Sequence, residues 1–462
     1  MLGSARPSDL HDRRSAPFAR RHCICRLRKA FAAHHPRASP CVSGAGGRRR
    51  RYHAAIDRLR SVPWLRVARV LFALYLVGAL VSVWLPGDWR QADVSLYRTD
   101  ALAFWGHLSH PSLPREYPPL AVIPFALTLI GPPSVGQDCF ALGMAALFVL
   151  GFVAIRRWKG ASRAWTYGAY ALAAGPATLL FRYDILPALM VLGCLWLLER
   201  RRFGPVYPLI GVGTLVKLFP LVLLPVTVIA HGRAARDRGP WGVIRRLAGG
   251  VVVCAVIVAG GFALAHVVDP AHGLGAITSN LGRPVQVESV PATLMWLGSL
   301  VGVAAHPVYA STSYDLVGRL SGVASAAGYL GLVAGMLWVW WRQLTGRMDT
   351  GRAVVGSLLV LLCTSGVLST QYLIWVAPVL AVVEGFRYRW LAVFLLTALI
   401  FPVLYQVAVE YSPVLRYSGW FLAGIGARNV LLVVCTVWFL VSSGRVPDAE
   451  PAPRSPLAAG AD

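Results

Sequence analysis

The chain has 462 residues, 56% of them hydrophobic and only 14% charged, with a formal net charge of +25 at pH 7. A soluble domain carries roughly a quarter charged residues, so a soluble globular fold is excluded. Apolar runs of about 17–25 residues recur instead, the length that crosses a hydrocarbon core of ~30 Å, and they lack the polar–apolar alternation of barrel strands.

Residues 1–60 are rich in Arg, Ser, Ala and Pro, as in "HDRR", "ARRH", "CRLRK" and "GGRRRRYH", and have no helical periodicity. They read as a disordered, basic, cytoplasmic arm, its charge following the positive-inside pattern and able to touch anionic lipid rather than nucleic acid. Cys23, Cys25 and Cys41 lie in this arm, where "HCIC" is too short and isolated for a zinc site. Cys139, Cys194, Cys254, Cys363 and Cys435 fall inside apolar runs and read as small core residues, so no disulfide framework is expected. The first apolar run starts near residue 64, which argues against a cleavable signal.

Residues 61–443 read as one membrane domain and 444–462 as a disordered cytoplasmic tail. The loops at 156–163, 199–203, 231–246, 341–352 and 386–389 are basic, whereas those at 86–116, 181–184, 269–290, 369–372 and 408–419 are near neutral. Lys and Arg mark cytoplasmic loops. Strict alternation fails at three runs, 117–131, 205–230 and 291–305. The first and third have ~15 residues, or about 22 Å of helix, short for a full span. Pro118, Pro119 and Pro124 interrupt the first, and "VKLFP" splits the second at Lys217 and Pro220. The first and third are therefore expected to be juxtamembrane or re-entrant helices, and the second two short helices meeting near Lys217. Irregular backbone at this depth is tolerated where it lines a cavity or is covered by protein.

Crossings then fall near 64–85, 138–156, 164–181, 184–199, the pair within 205–230, 246–268, 316–341, 353–369, 371–386, 389–407 and 420–442. That makes about 12 transmembrane or partly spanning helices, with both termini inside. No internal repeat stands out.

This topology gathers polar residues on the outer face: Asp93, Glu116, Arg182, Asp184, Lys217, Arg283, Gln286, Glu288, Gln371, Arg428 and Asn429. Charged groups within a membrane are expensive and usually face a cavity or a partner. Lys217 is one of three lysines in the chain, beside Lys29 and Lys159. It reads as a functional residue or as a lysine snorkelling to the interface. Arg182 with Asp184, and Arg283 with Glu288, read alternatively as local ion pairs, and Arg428 as a snorkelling side chain. His107 and His110 have no third ligand at metal spacing; His266, His272 and His306 lie near the outer face and read as phosphate binders or interfacial residues. "GVGTLVK" follows neither the strand nor the spacing of a nucleotide loop, so any donor must reach the site from the membrane.

The ordered series "ADVSLY", "EYPPL", "FRYDILPALMVL", "GTLVKLFPLVLLP", "GRPVQVES", "STQYLIW" and "ARNVLL" resembles glycosyltransferase family 87, the polyprenol-phosphate-mannose-dependent mannosyltransferases of the GT-C superfamily, over roughly residues 64–442. The resemblance implies an all-α GT-C-type bundle with a large first outer loop and juxtamembrane helices. It also implies inverting transfer of a sugar, mannose in the family, from a lipid-linked donor to an envelope lipid or glycan acceptor, with no cofactor and no metal. An acidic residue of the first outer loop serves as base in that superfamily, and Asp93, in D-x-x-x-Y with Tyr97, matches it. Family members often carry a histidine three residues before the arginine of "RPVQVES"; Asn280 stands there.

A departing lipid phosphate is already charged, so such chemistry needs a carboxylate to take the acceptor proton and cations to hold the phosphate. Asp93 is the candidate base. Arg182, Lys217 and Arg283 are candidate phosphate ligands, the arginines in bidentate fashion. Glu116, Asp184, Gln286, Glu288 and Gln371 are expected to position sugar or acceptor hydroxyls or to orient the cations. Tyr97, Tyr117 and Trp105 are candidates for the sugar face, and Trp89 for the interface. A transporter or flippase of a lipid-linked sugar is the alternative, since it too needs membrane charges and broken helices.

Overall fold

The computed structural model describes residues 91–235, 239–280, 283–310, 313–405 and 419–442. The basic arm, the apolar run at 64–85, Trp89 and the C-terminal tail lie outside them. The stretch expected to be the first outer loop begins as helix α1 (Gln91–Trp105). A run of short helical turns follows, Pro119–Ala121, α2 (Val122–Phe125) and Ala126–Leu129. Its prolines and its shortness keep it from spanning, as the sequence indicates. Two side chains lay α1 on this run: the Arg98 guanidinium donates to the carbonyls of Thr128 and Gly131, and the Trp105 indole donates to Val122 O at 3.0 Å.

Helix α3 (Pro133–Lys159) starts on a proline, whose missing N–H is one of the donors a first turn leaves free anyway. Arg156, Arg157 and Lys159 occupy its last turn, where the helix dipole favours cations. The crossing expected at 164–181 is broken into α4 (Ala161–Ala173) and α5 (Pro176–Leu180), because Gly175 takes φ +106° and Pro176 cannot continue a helix. Then come α6 (Ile185–Glu199) and α7 (Val206–Val216). Lys217 is extended (φ −157°, ψ 139°), and the chain resumes as a turn at Phe219–Val222 and α8 (Leu223–Ala234). The expected pair of short helices meeting at Lys217 is thus present.

After α9 (Gly239–Val268) and the short α10 (Gly275–Thr278), the chain forms β1 (Val285–Gln286), α11 (Val290–Ser299), β2 (Ala305–Ala310) and β3 (Ser313–Gly318). The strands make an antiparallel sheet in the order β1-β3-β2, with Gln286 opposite Asp315. The sequence reading expected an outer loop through 290, a juxtamembrane helix over 291–305 and a crossing from 316, with no strand. The run at 291–305 is too short to span, ends its helix at Ser299 and turns at Gly302 (φ +88°) into "AHPVYA" and "SYDLVG", short segments that pair as a hairpin.

The chain closes with α12 (Ser321–Leu344), α13 (Thr350–Thr364), a turn at Thr370–Tyr372 leading into α14 (Leu373–Val383), α15 (Tyr388–Ala398) with a kinked extension at Leu399–Leu404, and α16 (Gly419–Val441). Among the described residues, α3, α9, α12 and α16 are long and apolar enough to cross a membrane, and the other apolar helices are shorter. The protein is a multi-pass membrane protein built as a helical bundle. Helix α14 sits in its centre, with every residue from Leu373 to Val382 buried. A helix apolar on all sides is stable only when protein or lipid surrounds it, and here α4, α6 and α13 pack against it.

Candidate active site

Three breaks in helical structure converge above α14: the α5–α6 junction, the extended residue between α7 and α8, and the turn that opens α14. Asp184 precedes the first residue of α6, the position where an aspartate ordinarily caps its own helix. Its side chain makes no such bond and reaches Lys217 instead, with Nζ 2.6 Å from Oδ1. The Trp375 indole donates to the same oxygen at 2.5 Å. Asp184 is wholly buried, and its Oδ2 has no hydrogen-bond partner among the described residues.

Aromatic faces surround the ammonium of Lys217: Tyr183 at 4.6 Å, Tyr372 at 5.4 Å and Trp375 at 5.5 Å from the ring centroids. Trp375 is sandwiched between Phe219 and Tyr372, both stacked at 4.0 Å. Such contacts attract a cation most strongly when water is excluded. Lys217 is thus not a snorkelling residue. Its charge is taken up by Asp184, so Lys217 presents no uncompensated cation to a phosphate.

One residue before this cluster, Arg182 forms an ion pair with Asp93 of α1. Its guanidinium also faces the Phe401 ring at 5.5 Å, and it lies within electrostatic reach of Glu288. The expected local pairing of Arg182 with Asp184 gives way to this longer-range one, because Asp184 turns inward to Lys217 while Arg182 turns toward α1. Tyr97, one turn along α1 from Asp93, is fully buried. It stacks on Phe125 at 4.2 Å and meets Tyr117 and Tyr183 edge to face at 5.7 Å. Tyr97 and Tyr117 therefore form the packed wall behind the Asp93–Arg182 pair.

Glu116 brings a second carboxylate to the rim, within electrostatic reach of Asp100, Tyr117 and Asp315. Burial, reinforced by the Glu116 charge, pushes the Asp100 carboxyl up to about 6. Asp269 stitches the preceding loop down, accepting from Leu113 N at 2.8 Å and from the Ser112 hydroxyl at 3.2 Å, with His272 Nδ1 3.0 Å away. That contact occupies one of the three outer histidines.

The stretch "GRPVQVES" supplies the far wall. Arg283 donates to the Ser313 hydroxyl at 2.7 Å, which donates to Asp315 at 3.1 Å, so β3 carries its counter-ion. The expected local pairing of Arg283 with Glu288 is replaced by this one. Gln286 is held by its backbone N–H on Gly366 O at 2.8 Å, and its Oε1 is buried without a partner among the described residues. Glu288 accepts from the Tyr405 hydroxyl at 2.9 Å. Burial raises its carboxyl above the usual range, against the opposing pull of Arg428, Tyr405 and Arg182. Gln371 accepts from Ser369 Oγ at 2.9 Å beside the α14 turn. Asn280, at the position where a histidine was expected, donates to Ala276 O at 2.7 Å and closes α10.

Arg428 and Asn429, in mid-helix of α16, hold the Glu288 loop from behind. Arg428 Nη2 donates to Glu288 O at 2.8 Å, and Asn429 Nδ2 reaches the carbonyls of Glu288 and Ser289, each at 3.0 Å, and Thr293 Oγ1 at 2.7 Å. Arg428 is fully buried, so it does not snorkel. Sequence reasoning placed both on the outer face but assigned neither a partner. Asp315, Trp375 and Tyr405 escaped it, their only signal being polar or aromatic identity beside a break. Among the described residues, no cluster of three or more His, Cys, Asp or Glu is arranged to hold a metal ion.

The arrangement is a run of alternating charges, Asp93, Arg182, Glu288 and Arg428, flanked by the buried Lys217–Asp184 pair and walled by tyrosines. It suits an anionic group bound beside a carboxylate. A model of glycosyltransferase family 87 matches residues 116–365. No curated protein matches. Among solved structures, ArnT from Cupriavidus metallidurans bound to undecaprenyl phosphate aligns at 18% identity over 83% of this chain and 78% of that one, with a TM-score of 0.38. The same protein in the apo state aligns at 18% identity over 82% and 78%, also with a TM-score of 0.38.

Proposed function

The chain belongs to glycosyltransferase family 87, and from that premise we propose that it moves a hexose, mannose by the family's pattern, from a polyprenol-phosphate donor to an envelope lipid or glycan. The site faces the exterior, with both termini in the cytoplasm, in keeping with the basic loops at the opposite helix ends. The ion pair between Asp93 and Arg182 is the observation that carries the reading.

In the resting site Arg182 neutralises Asp93. An arriving donor phosphate competes for the guanidinium, which binds phosphate oxygens in a planar fork. Asp93 is thereby released toward the acceptor hydroxyl. The acceptor oxygen forms a bond to C1 of the sugar on the face opposite the phosphate, the C1–O–P bridge breaks at carbon, and Asp93 takes the acceptor proton. The polyprenyl phosphate departs with the bonding electrons, its charge held by Arg182. The product has inverted configuration at C1. Lys217 and Asp184 keep the α5–α6 junction, and with it Arg182, in place. Glu116, Gln286 and Gln371 are assigned to sugar or acceptor hydroxyls, and Arg283 to a second phosphate contact.

Membranes containing the protein, supplied with polyprenol-phosphate-mannose labelled in the sugar, are expected to yield a labelled acceptor. Asp93→Asn should bind the donor and transfer its sugar ~10²–10⁴-fold more slowly. Movement of intact labelled donor across the bilayer with no sugar transferred would instead identify a flippase.

A further inference from the structure

A cavity of about 290 Å³ lies among α11, α12, α13 and α16, outside the polar site. Pro291, Gly328, Cys363 and Thr436 are among the residues that line it, with Leu294 and Val437 exposed on the outer surface of the bundle. Among the described residues, helices α12 and α16 are two of the four of bilayer length, so the mouth opens toward hydrocarbon. Gly328 lets α12 close on α13: a Cβ there would lie 2.6 Å from Thr364 O.

The walls of this trough run into the polar site. Val290, on α11, follows Glu288 by two residues. Thr364, on α13, is two residues before Gly366, whose carbonyl accepts from Gln286 N–H. Helix α16 carries Arg428 two turns before Thr436, and Cys363 of the cavity lies within electrostatic reach of that guanidinium. Arg428 is fully buried, yet its Nε and Nη1 have no hydrogen-bond partner among the described residues. Buried donors without acceptors are costly, and native proteins rarely leave them so. An apolar trough open to lipid that leads toward a guanidinium with donors to spare fits a molecule with one apolar chain and an anionic head.

We infer that this cavity seats the isoprenoid units nearest the phosphate of the lipid-linked donor, with the chain entering between α12 and α16. The inference rests on the donor reading above and adds to it the place where the chain lies and a role for α16 in binding it.

The test uses the full-length protein in nanodiscs and geranylgeranyl phosphate bearing a diazirine in its chain. Photolabelling is expected within 290–294, 327–335 or 433–437. Unlabelled geranylgeranyl phosphate should compete, and phosphatidylglycerol should not. Ala327→Trp and Val437→Trp, at two exposed positions of the rim, should each lower labelling at least about tenfold by filling the mouth. Ala327→Ser, which scarcely changes the volume, should label like the parent and serves as the folding control. Labelling confined to other helices, equal competition by the phospholipid, or indifference to both tryptophans would overturn the assignment. Labelling in this cavity with no sugar transfer by the parent protein would remove the transferase reading and leave the lipid site standing; transfer without labelling here would do the reverse.

Discussion

Lys217 Nζ lies 2.6 Å from Oδ1 of Asp184, a wholly buried carboxylate on the far side of a helix break. Removing one partner of a buried pair strands the other in low dielectric and costs about 3–5 kcal/mol. Lys217→Met is therefore expected to lower the unfolding temperature sharply in detergent, and adding Asp184→Asn should recover much of the loss. A Lys217→Met protein as stable as the parent but with weakened donor affinity would reassign the lysine to the phosphate.

Asp93→Asn keeps the shape of the side chain and removes its basicity. A general base contributes typically ~10²–10⁴-fold, so turnover should fall by that factor with donor affinity retained. Single-turnover kinetics at saturating donor separates the two. Unchanged turnover would take Asp93 out of the mechanism.

Arg182→Gln removes both the counter-ion of Asp93 and the proposed phosphate ligand. The loss of one preorganised donor costs about 10²–10³ in rate, and the effect should appear in kcat as well as in donor KM. Arg182→Lys should recover only part of it, because an ammonium offers no planar fork. Full recovery by lysine would mean that a point charge suffices there.

The pH dependence of stability tests the rim. Burial and then Glu116 push the Asp100 carboxyl up to about 6, from about 3.9 in an unfolded chain. Between these values the folded protein holds a proton that the unfolded chain has lost. Stability therefore declines as pH rises through this window and stays lower above it. Asp100→Asn removes the penalty. Its unfolding temperature should exceed the parent's above pH ~6, and the difference should vanish below about pH 4. A difference independent of pH would rule out titration of Asp100 as the cause.

Arg428→Met takes a donor from Glu288 O and a positive charge from beside the buried Glu288 carboxylate. An unsatisfied buried group costs about 1–3 kcal/mol, more when charged. The variant should be destabilised by at least that much, and Glu288→Gln should soften the loss in the double mutant. Chemical denaturation in mixed micelles gives the comparison; strictly additive effects would show that the two side chains do not communicate.

The break at Lys217 was legible because a lysine and a proline cannot lie unremarked in an apolar run: each is expensive there for a separate physical reason. The short run at 119–129 was legible from its prolines. What pairs with what was not. Arg182 reads most simply against Asp184, its near neighbour in sequence, and Arg283 against Glu288. The fold sends Arg182 to Asp93, Asp184 to Lys217, and Arg283 to Ser313 beside Asp315. Those choices are set by the direction in which each junction leaves its helix, which local spacing does not encode. The hairpin at 305–318 was missed because charge topology sorts chain segments by side of the membrane and is blind to whether an exposed segment pairs with itself. Arg428 was visible as a charge in mid-helix, but its partner loop lies 140 residues away.

Lipid touches the perimeter of this molecule and not its axis, since α14 is enclosed from Leu373 to Val382. A thicker or thinner bilayer is accommodated by tilt and local deformation at the long outer helices. Trp375, in the first turn of α14 and stacked between Phe219 and Tyr372, rides on an axle that those adjustments leave alone. The protein should thus keep its catalytic register in membranes of differing sterol content or acyl length, with adaptation confined to its rim.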